Sequence, residues 1–168
     1  MKFKLTTTIL LFSLLFAFGC SDDKDSDNIP SVGTIVMDMN GSEWRAMGAT
    51  GLRMSFGNNV QISAAGSVLG ATISDLETFS FAIIATSGQG IGEGDYIVQS
   101  GLPYVDFNFT LGSAADQANW NATNGTLTIT RITDDNVQGT FSGTLVRSGH
   151  PNREITNGRF NVNILQTN

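Results

Sequence analysis

Downstream of residue 32, apolar residues alternate with polar ones at a spacing of two, the period of a strand with one buried face. Ile35, Met37 and Met39 lead into Asn40-Gly41, and Trp44 and Ala46 resume the alternation beyond it. An Asn-Gly pair tolerates positive φ at both loop positions, so these segments predict a β-hairpin. Leu52, Met54 and Phe56, then Gly57-Asn58-Asn59, then Val60, Ile62 and Ala64 predict a second. Further strands are expected over residues 68–73, 79–85 and 96–99. Val105, Phe107, Phe109 and Leu111 share one face while Asp106, Asn108 and Thr110 share the other, as in a half-buried antiparallel strand. Leu127 and Ile129 follow Asn124-Gly125, Val137, Phe141 and Leu145 follow Asp134-Asp135-Asn136, and Phe160, Val162 and Ile164 close the chain. The Asn124-Gly125 and Asn157-Gly158 pairs read as turns bounding strands. Gly139 and Gly143 flank Phe141 on one face, which predicts a ring filling space that glycine leaves open.

No stretch carries a convincing helical period; residues 113–118 have room for a single turn. Nine or ten short strands joined by tight turns predict an all-β domain, an antiparallel β-sandwich or a flattened meander barrel. Both show the same alternation, and the brevity of the runs favours the sandwich.

The first 19 residues break this pattern. Lys2 and Lys4 precede an apolar run, Ile9 to Phe18, interrupted only by Ser13 and ending at Gly19-Cys20. The run is about half of the roughly 20 residues a bilayer-spanning helix needs, which predicts a cleaved signal peptide over 1–19. Cys20 is the single cysteine of the chain, so no internal disulfide can form and the domain must stand on its core. Ser21-Asp22-Asp23-Lys24-Asp25-Ser26-Asp27-Asn28 follows, with no apolar residue to bury, which predicts a disordered acidic tether over 20–31 and one domain over 32–168. Asp23, Asp25 and Asp27 alternate as in half of a calcium loop, but Asn28 replaces the turn glycine and Thr34 the bidentate acid.

Charge narrows the function classes. Loss of Lys2 and Lys4 with the leader takes the formal net charge from −6 to −8. Such a surface repels phosphate backbones, so no nucleic-acid partner is expected.

Ala17-Phe18-Gly19-Cys20 resembles the lipobox of bacterial lipoproteins, and Cys20 followed by Ser21 and two aspartates resembles the surface-export signal of Bacteroidota lipoproteins. Asn40-Gly41 with Trp44 and Ala46, Gly94-Asp95-Tyr96, Gly125-Thr126-Leu127-Thr128-Ile129-Thr130, Gly139-Thr140-Phe141-Ser142 and residues 155–162 (ITNGRFNV) are similar to a family of small Bacteroidota lipoproteins of unknown function. The resemblance implies lipidation at Cys20, attachment to the outer membrane through that lipid, and display at the cell surface, the periplasmic face being the alternative. Its motifs are structural, so it implies no activity. Two or more acyl chains anchor stably where one does not.

Candidate chemistry is sparse. His150, the only histidine, lies in Gly149-His150-Pro151-Asn152, and one histidine without a free cysteine leaves no nitrogen or sulfur set for a metal; no cofactor is expected. Asp38, Glu43, Asp95 and Asp106 would act as a glycosidase-like pair only where the fold brings two together. The run Gly88-Gln89-Gly90-Ile91-Gly92-Glu93-Gly94 lacks the spacing and following helix of a phosphate cradle and reads as a flexible loop, or a mobile binding lip. Trp44, Tyr96, Tyr104 and Trp120 are the candidate ligand contacts, an exposed coplanar pair being what glycan binding would need, although Trp44 reads more readily as core or rim filler than as a ligand platform.

These observations point to a lipid-anchored binding or accessory module with a glycan or outer-membrane protein partner, rather than an enzyme. Eleven phenylalanines support an alternative, a barrel-like carrier of a small apolar ligand, and the carboxylates a second, a glycan-active enzyme.

Overall fold

The computed structural model describes residues 29–70, 72, 75–99, 101–112 and 117–167. The leader, Cys20 and the acidic segment to residue 28 lie outside them, as do Ile73 and most of residues 113–118.

Ten strands form a single sheet: β1 (Thr34–Met39), β2 (Ser42–Met47), β3 (Thr50–Phe56), β4 (Asn59–Val68), β5 (Glu77–Thr86), β6 (Gly94–Ile97), β7 (Tyr104–Leu111), β8 (Ala118–Ile132), β9 (Asn136–Val146) and β10 (Arg153–Gln166). No α-helix occurs among the described residues. Both predicted hairpins form. Asn40 (φ 52°) and Gly41 (φ 80°) make the positive-φ turn between β1 and β2, and Gly57 (φ 56°) turns β3 into β4.

The sheet closes on itself. Strands β3, β4, β5, β7, β8, β9 and β10 pair in that order, and β10 returns to β3, giving a seven-stranded barrel rather than the sandwich favoured by strand brevity. The strands are longer than the sequence pattern suggested: β8 has 15 residues and β10 has 14. Each of these two strands passes from one partner to another along one edge. β10 pairs with β1 through Ile155–Asn161 and then with β3 through Asn163–Gln166, and this second contact is parallel, the exception to the antiparallel rule. β8 pairs with β7 through Ala118–Asn121 and with β6 through Thr126–Ile129.

Both Asn-Gly pairs read as turns lie inside these long strands instead. Register shifts fall between Ala122 and Asn124 in β8 and between Ile155 and Gly158 in β10, with Asn157 at φ 52° and Gly125 at φ 149°. The positive-φ tolerance that makes a hairpin loop also makes a β-bulge, which bends a strand without ending it. Local sequence does not separate the two outcomes.

The interior explains why glycine is required there. Phe79, Phe81, Phe107, Phe109, Phe141 and Phe160 are each at most 4% exposed and fill the lumen. Phe79 and Phe109 are cross-strand partners, as are Phe81 and Phe107. Phe141 stacks on Phe79 at 5.0 Å between centroids and meets Phe107 at 5.9 Å and Phe160 at 6.3 Å. A Cβ at Gly158 would stand 2.7 Å from the Phe141 ring, and one at Gly125 would stand 2.7 Å from the Phe107 ring. At Gly139 it would overlap the Thr128 carbonyl oxygen and touch Phe160 at 3.0 Å. The rings that glycines accommodate are therefore on neighbouring strands, a refinement of the same-strand arrangement expected for Phe141.

Gly139→Ala should cost at least about 3 kcal/mol of unfolding free energy in chemical denaturation, because both backbone and ring must shift. Gly88→Ala, with open space around it, should change stability by less than about 0.5 kcal/mol. Equal effects at the two positions would contradict the packing role of Gly139.

Candidate functional site

One end of the barrel gathers the side chains with unspent polar chemistry. There β1, β7 and β9 end and β2, β5, β8 and β10 begin, placing Met39, Leu111, Arg147, Trp44, Glu77, Trp120 and Arg153 around one mouth. Two cavities open at it and share Asn40 and Arg153. One, of about 450 Å³, is lined by Asn40, Leu111, Ala118, Trp120, Arg147 and the His150–Arg153 segment. The other, of about 270 Å³, is lined by Met39, Asn40, Ser42, Glu43, Trp44, Glu77 and Arg153.

Arg153 is the centre of the arrangement. As the first residue of β10 it projects over two rings, with its guanidinium carbon 4.2 Å from the Trp120 centroid and 4.5 Å from that of Phe109. Its Nη1 donates to the Met39 sulfur at 3.1 Å, a weak acceptor. Burial lowers the guanidinium pKa and the Glu77 carboxylate opposes that shift. Arg147 stands 5.1 Å above Trp120, and the His150 ring meets the same indole edge-on at 5.8 Å. Trp120 Nε1 donates to the Pro151 carbonyl at 3.3 Å, so the His150 loop is folded onto the ring rather than solvated on both sides. Trp44 meets Phe79 and Phe109 edge-on, and its buried Nε1 has no acceptor.

The four candidate aromatics do not form an exposed platform. Trp44, Tyr96 and Trp120 are 6%, 8% and 5% exposed, and Tyr104 is half-buried. The two tryptophans sit at the mouth, whereas Tyr104 begins β7 toward the opposite end and lines a separate recess. Trp44, Tyr96 and Trp120 each fall on the inward half of their strand's alternation and belong to the core cluster. Tyr96 serves the glycine-rich run: its hydroxyl accepts from Gly92 N–H and donates to Gly92 O, both at 3.0 Å. Thr86 O accepts from the N–H groups of Gln89 and Gly90. The run is a pinned loop rather than a free lip.

The four carboxylates do not converge on one cavity: Glu43 lines the mouth and Asp106 an outer groove. Asp38 and Glu43 are cross-strand partners, but Asp38 accepts from Asn157 at 2.7 Å and Glu43 pairs with Arg45 at 3.3 Å. Asp95 accepts from Thr128 at 2.6 Å. Asp106 faces an outer groove of about 460 Å³ floored by Ser63, Ala65, Ser80 and Ala82. That groove has the shape of a binding surface but only one charged group. Among the described residues no three of His, Cys, Asp and Glu are grouped to hold a metal ion, and no helix is long and apolar enough to cross a membrane.

Comparison with known protein families, with characterised proteins and with solved structures finds no match. The site must be read from its own chemistry. Sequence pattern missed Arg147, Arg153 and Glu77 as site residues, because nothing local marks an arginine that will lie on aromatic rings. The one available signal was their position at strand ends beside aromatic strand residues.

Partial burial raises the Asp106 carboxyl pKa, and a hydrogen bond from Phe107 N–H offsets part of the shift. A raised pKa in the folded state means stability falls as pH rises from the unfolded value through the folded one. Asp106→Asn should therefore raise Tm more at pH 7 than at pH 3. An equal shift at both pH values, followed by thermal unfolding, would show that Asp106 carries no ionisation penalty.

Proposed function

We propose that this chain is a lipid-anchored binding module of the bacterial outer membrane, displayed outward, with the Arg153 mouth as its capture site. One observation carries the reading: the chain enters the barrel at the end opposite the mouth. Asn161 fixes that entry, donating to Pro30 O at 3.0 Å and accepting from Gly33 N–H at 2.8 Å, and β1 then runs toward Met39 and the mouth. A lipid on Cys20 would hold the far end of the barrel at the membrane and leave the mouth pointing away. The ten residues from Cys20 to Ile29 span at most roughly 35 Å when extended, enough to clear the headgroups.

The filled lumen favours capture at the surface over internal carriage of an apolar ligand. Asp38 and Glu43, the one cross-strand pair, are each engaged by another side chain, which favours binding over glycan hydrolysis, where two acids face one bond. A glycan or another outer-membrane protein remains the partner class, held at the mouth rather than on a flat aromatic face.

Protease added to intact cells should remove the domain. Cys20→Ser should abolish palmitate incorporation and move the protein out of the membrane fraction. Resistance on intact cells with digestion only after lysis would overturn outward display, and palmitate labelling retained in Cys20→Ser would overturn anchoring at that residue.

A further inference from the structure

We propose that the cavity beside Trp120 binds a single carboxylate carried on a small apolar or ring-shaped body, through Arg147, Arg153 and His150. This rests on the mouth being the capture site. Three observations support it.

The first is charge segregation. In a chain of net charge −6, the described residues that line this cavity include two arginines and the only histidine, and no carboxylate. Among the described residues no acid lies within ion-pair distance of Arg147 or Arg153, whereas Arg45 pairs with Glu43 and Arg53 with Asp134 elsewhere on the surface. A partly desolvated guanidinium whose donors meet ring faces and a thioether has hydrogen bonds left to give, and a carboxylate accepts two of them side by side.

The second is preorganisation. Contacts to Trp120 and Phe109 hold the Arg153 guanidinium at the cavity wall, so little side-chain freedom is lost when a ligand arrives. Arg147 and His150 lie against the same indole. His150 adds a ring N–H, and Asn152 and Asn40 add amides around the rim. Leu111, Ala118 and Pro151 supply the apolar wall against which the body of the ligand would pack. The volume, about 450 Å³, lies in the range of small-molecule sites.

The third is the neighbouring cavity, which limits the ligand's charge. Glu77 acts on Arg153 electrostatically, and Glu77 and Glu43 both line the adjoining space. A dianionic phosphate or a polyanion placed on Arg153 would meet this negative potential, whereas one delocalised negative charge is balanced by the two arginines.

The test uses the purified lipidated protein in nonionic detergent, with benzoate, its neutral isostere benzamide, and phenyl phosphate as probes. Binding is followed by calorimetry and by the indole N–H resonances of the two tryptophans. Benzoate should bind at least about tenfold more tightly than benzamide, weaken with added salt, and shift the Trp120 resonance. Arg147→Met should lower benzoate affinity about tenfold with its melting temperature retained, since the hydrogen bond that Arg147 makes to His150 N–H uses its backbone carbonyl, which the substitution keeps. Arg153→Met should abolish binding, and Arg131→Met at the far end should leave it unchanged. Absence of saturable benzoate binding, equal affinity for benzoate and benzamide, or a folded Arg147→Met protein with unaltered affinity would overturn the site. Phenyl phosphate binding more tightly than benzoate would overturn the restriction to a single charge. Protease accessibility on cells is independent of all these readouts, so failure of surface display and failure of carboxylate binding are distinguishable.

Discussion

The barrel depends on the fit of phenylalanine rings against backbone that has no side chain. A seven-stranded lumen must be filled to near-crystalline density, and six phenylalanines supply the volume. Rings of that size fit only where the facing strands lack a Cβ, at Gly125, Gly139 and Gly158. Removing one Phe would leave a void worth roughly 3–5 kcal/mol, and adding one methyl opposite would create overlap. The two halves of the interlock constrain each other, and both are drawn from distant parts of the chain.

Gly158 bounds the bulge that bends β10, and Gly125 lies two residues past Thr123, the extra residue of the β8 bulge. A bulge lets one long strand change direction and exchange partners, so β10 is shared between β1 and β3, and β8 between β7 and β6. This exchange leaves the β1–β2 hairpin beside the mouth, with Trp44 turned onto Phe79 and Phe109. The starts of β8 and β10 bring Trp120 and Arg153 into contact at the same rim. The capture site is thus a consequence of closure, assembled from strand ends rather than from any one loop.

The candidate site was only partly legible beforehand. Trp44 and Trp120 would serve as a glycan platform only if exposed, yet both are buried rings at the mouth, and of the two it is Trp120 that carries the guanidinium groups. Arg153 is not marked by the sequence pattern, because a guanidinium stacked on two rings has no sequence signature. Asp38, Glu43, Asp95 and Asp106 are alike in sequence and differ in structure: one pairs with Asn157, one with Arg45, one with Thr128, and one faces a groove. Tyr96 and the glycine-rich run proved to be one unit, joined through a hydroxyl that reaches back four residues.

Alternation at period two, by itself, determined that the chain is all β, which residues face inward, and where both N-terminal hairpins turn. Those are local properties, set by backbone φ preferences and the cost of leaving apolar surface in water. Tertiary structure alone decided that the sheet closes, that Asn124-Gly125 and Asn157-Gly158 bend strands instead of ending them, and that Arg147, Arg153 and His150 share one indole. The reason is that an Asn-Gly pair has the same conformational options in a turn and in a bulge. Only the rings packed against it from other strands select between them.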